Sequence, residues 1–188
     1  MRRILPHSKQ LLTEMISEGD IVVDATMGNG NDTFFLAQAV GSSGKVYAFD
    51  IQQQALDATK ERLGKLYSRT ELILDSHARI KQYVPDGISA AVFNLGFLPN
   101  QNDHAVITKP DTTVQALKAA LQLLKPGGVI TVAVYDGHPG GPEERDAVLE
   151  FVQQLNAKLF QVVRYEVVNQ QNHPPFLLII EKTNRRAR

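Results

Sequence analysis

The chain has 188 residues, 43% of them hydrophobic and 21% charged, with no cysteine and a formal net charge of zero. That length and balance fit one domain with a sizeable core. The missing cysteines exclude disulfides, thiolate metal sites and cysteine nucleophiles and fit a cytoplasmic protein; zero net charge argues against binding nucleic acid everywhere by charge alone.

The basic start, Met1-Arg2-Arg3, is followed by no apolar stretch of signal-peptide type, and no apolar run approaches membrane-spanning length. A short helix is expected over 7–18, closing an N-terminal helical segment of 1–18. Strand one is expected over 20–24, a helix over 32–40 and strand two over 45–50. Ala55, Leu56, Thr59, Leu63 and Leu66 recur at helical spacing, which predicts a helix over 52–67. Strand three is expected over 71–74 and strand four over 88–93, ending at Asn94. A loop follows from Leu95 to Thr108. A helix over 111–124 stops at Lys125-Pro126-Gly127-Gly128. Strand five over 129–135, a Gly- and Pro-rich loop over 136–142 and a helix over 143–157 come next. Two strands, 159–168 and 176–182, have no helix between them and read as a hairpin with the last strand antiparallel. The basic end, over 183–188, reads as a frayed tail.

Strands alternating with helices predict an α/β fold, a seven-stranded mostly parallel sheet with helices on both faces. Ligands of such sheets bind beyond the carboxyl ends of the strands. The polar residues at that edge are Asn29 to Asp32, Asp50 with Gln52, Ser76 with His77, Asn94, Asp136 with His138, and Asn169 to His173.

The most informative stretch is Val22-Val23-Asp24-Ala25-Thr26-Met27-Gly28-Asn29-Gly30-Asn31-Asp32-Thr33. It reads as strand, Gly-rich turn and helix, the cradle of a nucleotide-like ligand. Asp50 closes the next strand, where an acid accepts the hydroxyl hydrogens of a ribose. Asp24 just before the turn would repel a phosphate and suits a ligand with an ammonium group. Thr33 stands where a dinucleotide fingerprint has its third small residue. These features favour S-adenosylmethionine over a dinucleotide, so a dehydrogenase is the disfavoured rival. The dense polar rim disfavours a non-catalytic scaffold.

The segments Asp24 to Thr33, Phe49-Asp-Ile-Gln52, Asp75-Ser-His77, Phe93-Asn-Leu-Gly-Phe-Leu-Pro99, Tyr135-Asp-Gly-His-Pro-Gly-Gly141 and Asn172-His-Pro-Pro-Phe-Leu177 run over nearly the whole chain. On them the sequence resembles the Rossmann-like class I S-adenosylmethionine methyltransferases. More narrowly, it resembles the small bacterial rRNA methylase family that includes the tRNA 5-(aminomethyl)-2-thiouridine methyltransferases. The resemblance implies a single methyltransferase domain over 1–188 and a tRNA anticodon loop as partner. The implied substrate is the primary amine on the wobble uridine. A methyltransferase acting on rRNA or on a small-molecule amine is the alternative. Thr26 departs from the general pattern, which has a glycine there, and Asn94-Leu-Gly-Phe97 lacks the prolines of DNA amino-methylating enzymes.

On this reading Asp24, Thr26, Gly28, Asn29, Gly30, Asn31, Asp32, Asp50, Gln52, Ser76 and His77 hold the cofactor. Asn94 aims the amine through its carbonyl, and His138 or Asp136 takes the proton. Phe97, Tyr135, Asn172, His173 and Phe176 face the unstacked base. The five histidines show no zinc spacing, so no metal is expected. A homodimer is compatible with the chain.

Overall fold

The computed structural model describes residues 3–96, 108–170 and 174–184. The chain runs α1 (Ile4–Met15), β1 (Ile21–Asp24), α2 (Asn31–Ala39), β2 (Lys45–Asp50), α3 (Gln53–Leu63), β3 (Thr70–Leu74), β4 (Ile88–Leu95), α4 (Pro110–Leu123), β5 (Leu124–Val134), α5 (Gly141–Gln153), β6 (Phe160–Tyr165) and β7 (Phe176–Lys182). The strands form one sheet in the order β3-β2-β1-β4-β5-β7-β6. The first five are parallel, and β7 runs antiparallel to both β5 and β6. This is the expected fold class, a mostly parallel seven-stranded sheet with an antiparallel last strand. The expected hairpin forms, with β7 inside and β6 at the edge.

Alternation along the strands divides the core in two. Val22, Val46, Ala90 and Val92 pack with Leu12 and Ile16 around α1, Leu36, Ala37 and Val40 around α2, and Leu63 of α3. Val23, Phe49, Ala91, Phe93, Ile130 and Val132 point the other way, onto Ala116, Leu117 and Ala120 of α4 and Val148 and Val152 of α5. The parity of a strand residue therefore decides which face it serves. Among the described residues no helix is long and apolar enough to cross a membrane.

Several boundaries move for physical reasons. The first helix starts at Ile4 rather than at residue 7, because Pro6 in a first turn has no amide to waste. The helix expected to reach 67 ends at Leu63 and tightens into a 3₁₀ turn, Gly64–Arg69. β5 begins at Leu124, so the Lys125-Pro126-Gly127-Gly128 stop lies within an irregular stretch of strand, where the pairing jumps from Ile88 with Leu124 to Ala90 with Val129. Thr183, expected to belong to a frayed tail, is held: it donates through its amide to the Leu159 carbonyl at 2.8 Å and through its hydroxyl to that of Lys158 at 2.8 Å. Arg185 to Arg188 lie outside the described residues.

A buried carboxylate fastens the far face to the ligand edge. Glu144, in the first turn of α5, accepts from the hydroxyls of Thr113 and Thr108, each at 2.6 Å. The Thr108 hydroxyl in turn accepts from the Gly96 amide at 2.9 Å, and the Thr108 amide donates to the Gly96 carbonyl at 3.0 Å. Both α4 and the end of β4 thus depend on one side chain. Glu144→Ala strands the fully buried Thr113 hydroxyl and is expected to cost about 2–4 kcal/mol in urea unfolding. Glu144→Gln, which keeps an acceptor, is expected to cost about 1 kcal/mol.

Candidate active site

Beyond β1 the chain makes a tight turn, in which the Gly30 amide donates to the Met27 carbonyl at 2.9 Å. Gly28 and Gly30 sit at φ 52° and 74°, in the left-handed region. At Gly30 there is no room for a side chain: a Cβ would lie 2.7 to 2.9 Å from Thr59 of α3. The Thr59 hydroxyl closes the contact by donating to the Gly28 carbonyl at 3.1 Å. The turn leads directly into α2, whose first amides face the edge.

Three carboxylates converge here. Asp24 is wholly buried at the end of β1. Its oxygens accept from the Thr33 hydroxyl at 2.7 Å and the Thr26 amide at 3.2 Å. Burial, and next the charge of Asp32, push its carboxyl up to about 7 against these two bonds. Asp50, at the tip of β2, accepts from the amides of Gly28 and Gln52, each at 3.0 Å. Burial raises its pKa, opposed by those amides. Each oxygen has capacity for a second donor, as a ribose diol requires. Ile51 beside it is 58% exposed and offers an apolar surface to a flat base.

Asn94 belongs to the same face of β4 as Ala90 and Val92. Its amide donates to the Thr26 hydroxyl at 2.8 Å. Thr26, which replaces a glycine of the general pattern, thereby ties the β1 turn to β4. The Asn94 carboxamide donates through Nδ2 to Asp32 Oδ2 at 2.7 Å, and Lys9 of α1 meets Asp32 Oδ1 at 2.9 Å. Asp32 is thus placed beside Asn94. Tyr135 joins this group: it packs with Ala133, Leu177 and Ile4, and burial, then the Asp32 charge, raise its pKa.

The rest of the rim divides by parity. Asp136 shares the face of Val134 and forms an ion pair with Arg145 of α5 at 2.6 Å. Its partner is Arg145 and no group beside Asn94, so the structure does not bring Asp136, one of the two expected proton acceptors, to the Asn94 side chain. Phe176 also faces that side. It is 3% exposed, and the Arg164 guanidinium lies 4.0 Å over its ring, so it is a core residue and not the expected stacking surface. Asp136, Arg145, Arg164 and Phe176 line a cleft of about 340 Å³ there. His138 behaves differently. It accompanies Gly96, at φ 137°, where a Cβ would stand 3.5 Å from the imidazole Nε2. His77 is buried under β1, with Nδ1 3.1 Å from the Ala25 carbonyl; burial lowers its pKa. Ser76 caps the following 3₁₀ turn, its hydroxyl accepting from the Ala78 amide at 3.2 Å. Asn29 presents its carbonyl to Arg62 of α3 at 2.6 Å, and Asn31 opens α2. Phe97, Asn172 and His173 lie outside the described residues. Among the described residues no group of His, Cys, Asp and Glu is arranged to hold a metal.

Sequence reading missed Lys9 and His7. Lys9 is one lysine on a helix, and His7 stacks on Tyr165 of β6 with ring centroids 4.3 Å apart. Nothing in the spacing of α1 reveals that it lies across β5 and β7; only the tertiary packing does.

Comparison with known proteins places this edge in context. The family model described as "Putative rRNA methylase" matches residues 46–181. The chain belongs to this rRNA methylase family. A chloroplastic tRNA (mnm5s2U34)-methyltransferase of Arabidopsis thaliana is 37% identical over 183 residues, 91% of this chain. The chain spans 66% of that relative's length and 29% to 46% of further curated relatives. The crystal structure of an rRNA methylase of Clostridium thermocellum superposes with a TM-score of 0.94 at 45% identity, covering 97% of this chain and 98% of that one. A Streptococcus mutans methyltransferase in complex with S-adenosylhomocysteine gives 0.88 at 46% identity, covering 97% and 99%. The fold and family are those of Rossmann-like, S-adenosylmethionine-dependent methyltransferases.

The Asp24 shift has a stability consequence for this methylase. Its carboxyl is raised from the ordinary 3.8 to about 7, so the folded state holds a proton that the unfolded state has lost. The contribution is complete below about pH 4 and disappears as pH rises through about 7. Asp24→Asn, neutral at every pH, is expected to match the parent near pH 4. At pH 8 it is expected to be more stable, by up to about 4 kcal/mol, in chemical denaturation of the ligand-free protein.

Proposed function

We propose that this chain is an S-adenosylmethionine-dependent N-methyltransferase that converts the 5-aminomethyl group of the tRNA wobble uridine to 5-methylaminomethyl. The observation that carries an amine substrate is the Asn94 carboxamide. Its nitrogen is committed to Asp32, so its carbonyl is the atom left to accept an N–H from the nucleophile. The tRNA substrate is supported by the Arabidopsis relative.

The cofactor supplies a methyl carbon already activated by a sulfonium. The residues present suit it: a tight turn in which Gly30 has no room for a side chain, a strand-tip carboxylate with spare acceptor capacity, and an exposed isoleucine next to it. Asp50 would hold the ribose and Ile51 would lie against the adenine, with Gln52, Ser76 and His77 shaping that end. Gly28 to Asn31 lie along the methionyl end, and Asp24, which gives up its proton as pH rises through about 7, favours an ammonium group there when ionised. Thr26 keeps the turn in register with Asn94. Catalysis is then mostly alignment. Asn94 would aim the amine lone pair at the activated methyl carbon that the cofactor would supply. His138 receives the proton that nitrogen gives up. Tyr135 borders the base.

An unstacked base in an anticodon loop gives up fewer contacts than one in a duplex. With zero net charge, recognition rests on base contacts and a local basic patch, so binding should weaken with salt less steeply than for a strongly basic protein. The family description favours rRNA as the competing substrate. Mass spectrometry of nucleosides from tRNA and rRNA incubated with the protein and S-adenosylmethionine separates the two. A methyl group on rRNA alone would overturn the tRNA reading.

Asn94→Ala is expected to lower turnover about 100-fold while leaving cofactor affinity within about twofold, because it orients the amine rather than holding the cofactor. Asp50→Ala is expected to do the reverse, weakening cofactor binding at least about 10-fold in calorimetry. Unchanged affinity in the Asp50 variant would remove that residue from the cofactor site.

A further inference from the structure

We propose that Lys9 and Asp32 are positioning residues: Asp32 fixes which way the Asn94 carboxamide points, and Lys9 keeps the Asp32 charge from holding the substrate amine in its protonated form. This rests on the amine reading above and deepens it.

The geometry is a chain of three side chains from three elements. Lys9 Nζ of α1 lies 2.9 Å from Asp32 Oδ1 of α2, and Asp32 Oδ2 lies 2.7 Å from Asn94 Nδ2 of β4. A carboxylate only accepts, so the Asn94 atom facing it is the NH2. Turning the amide over would set carbonyl oxygen against carboxylate oxygen. Asn94 is held at its other end as well, since its main-chain amide donates to Thr26. The side chain therefore has one stable orientation, with the carbonyl directed at the substrate.

Orientation by a carboxylate carries a risk. A negative charge near an alkylamine stabilises the ammonium form, which has no lone pair to attack with. The other charged groups here do not cancel it. Asp24 lies behind on β1 and its charge couples to that of Asp32; Tyr135, following β5, is a phenol with a raised pKa and supplies no positive charge; His138 lies against Gly96. Among the described residues Lys9 is the cation that meets Asp32, and it is steadied over the Phe35 ring at 5.5 Å. The N-terminal helix therefore takes part in the chemistry of the edge and does more than cover the sheet.

The test uses the full chain, S-adenosylmethionine and an anticodon stem-loop RNA carrying 5-aminomethyl-2-thiouridine at the wobble position. Lys9→Met is expected to keep cofactor affinity within about twofold and to move the acid limb of the pH–rate profile up by about one unit, with rate recovered at high pH. Lys9→Arg is expected to restore the parent profile. Asp32→Asn leaves either amide orientation open and is expected to lower the plateau rate about 10-fold or more at all pH. A Lys9→Met variant with an unshifted profile, or an Asp32→Asn variant with a full plateau rate, would overturn the proposal. NMR of the ligand-free protein reads the contact without substrate. The Asn94 side-chain NH2 signal, assigned by its loss in Asn94→Ala, is expected to show a hydrogen-bonded shift that Asp32→Ala abolishes; an unmoved signal also overturns it. A parent protein that fails to methylate the RNA but shows this NMR signature would instead reject the substrate reading.

Discussion

Three carboxylates crowd the carboxyl edge of one sheet, and keeping them there governs how the edge is built. Asp24 is repelled by both Asp32 and Asp50 in surroundings that solvate charge poorly. Each is offset in its own way. Asp24 takes a hydroxyl and an amide and retains its proton near neutrality. Asp50 takes two main-chain amides, one of them from the glycine turn. Asp32 takes Lys9 and the Asn94 carboxamide. The donors come from α1, the β1 turn, α2 and β4, so offsetting the charges also brings those elements into register.

The same arrangement explains why a threonine serves at position 26. A glycine there would satisfy the backbone but leave the Asn94 amide without its acceptor. The hydroxyl gives the β1 turn a direct hold on the end of β4. Gly30 has the opposite demand, since Thr59 lies too close for any side chain. The turn is thus fixed from two sides, by α3 beneath and β4 alongside. That rigidity matters where the work of the site is alignment, because small errors in position are costly there.

Much of this was legible in the sequence. Strand–turn–helix order, the two glycines, Asp24 and Asp50 are local signals, and each lies where a parallel sheet places its ligand. What the sequence concealed is parity at the far end of the edge. Tyr135 and Asp136 are neighbours in the chain, yet one serves the α1 face and the other pairs with Arg145 beneath α5. Phe176 was misread for the same reason, since β7 turns it toward α5 and Arg164 covers it. Counting alternation from a confirmed core residue such as Val134 would have separated them. Lys9 and His7 were beyond reach, because their partners lie on α2 and β6, far away in sequence.

Parity also bears on how a neutral protein would meet the RNA loop proposed as its substrate. The α1 face of the edge gathers Asn94, Asp32, Tyr135 and the His7–Tyr165 stack, whereas the α5 face holds paired charges: Arg145 with Asp136 and Asp146, Arg164 with Glu166. An arginine already paired gains less from a phosphate than a free one, since a carboxylate must first be released. Aromatic faces carry no such cost and stack on any unpaired base. On the proposed function the base would enter along α1, with selectivity coming from stacking and from the amine proposed to meet Asn94. The N-terminal helix, which a sequence reading treats as a prelude to the sheet, would then form one wall of the site.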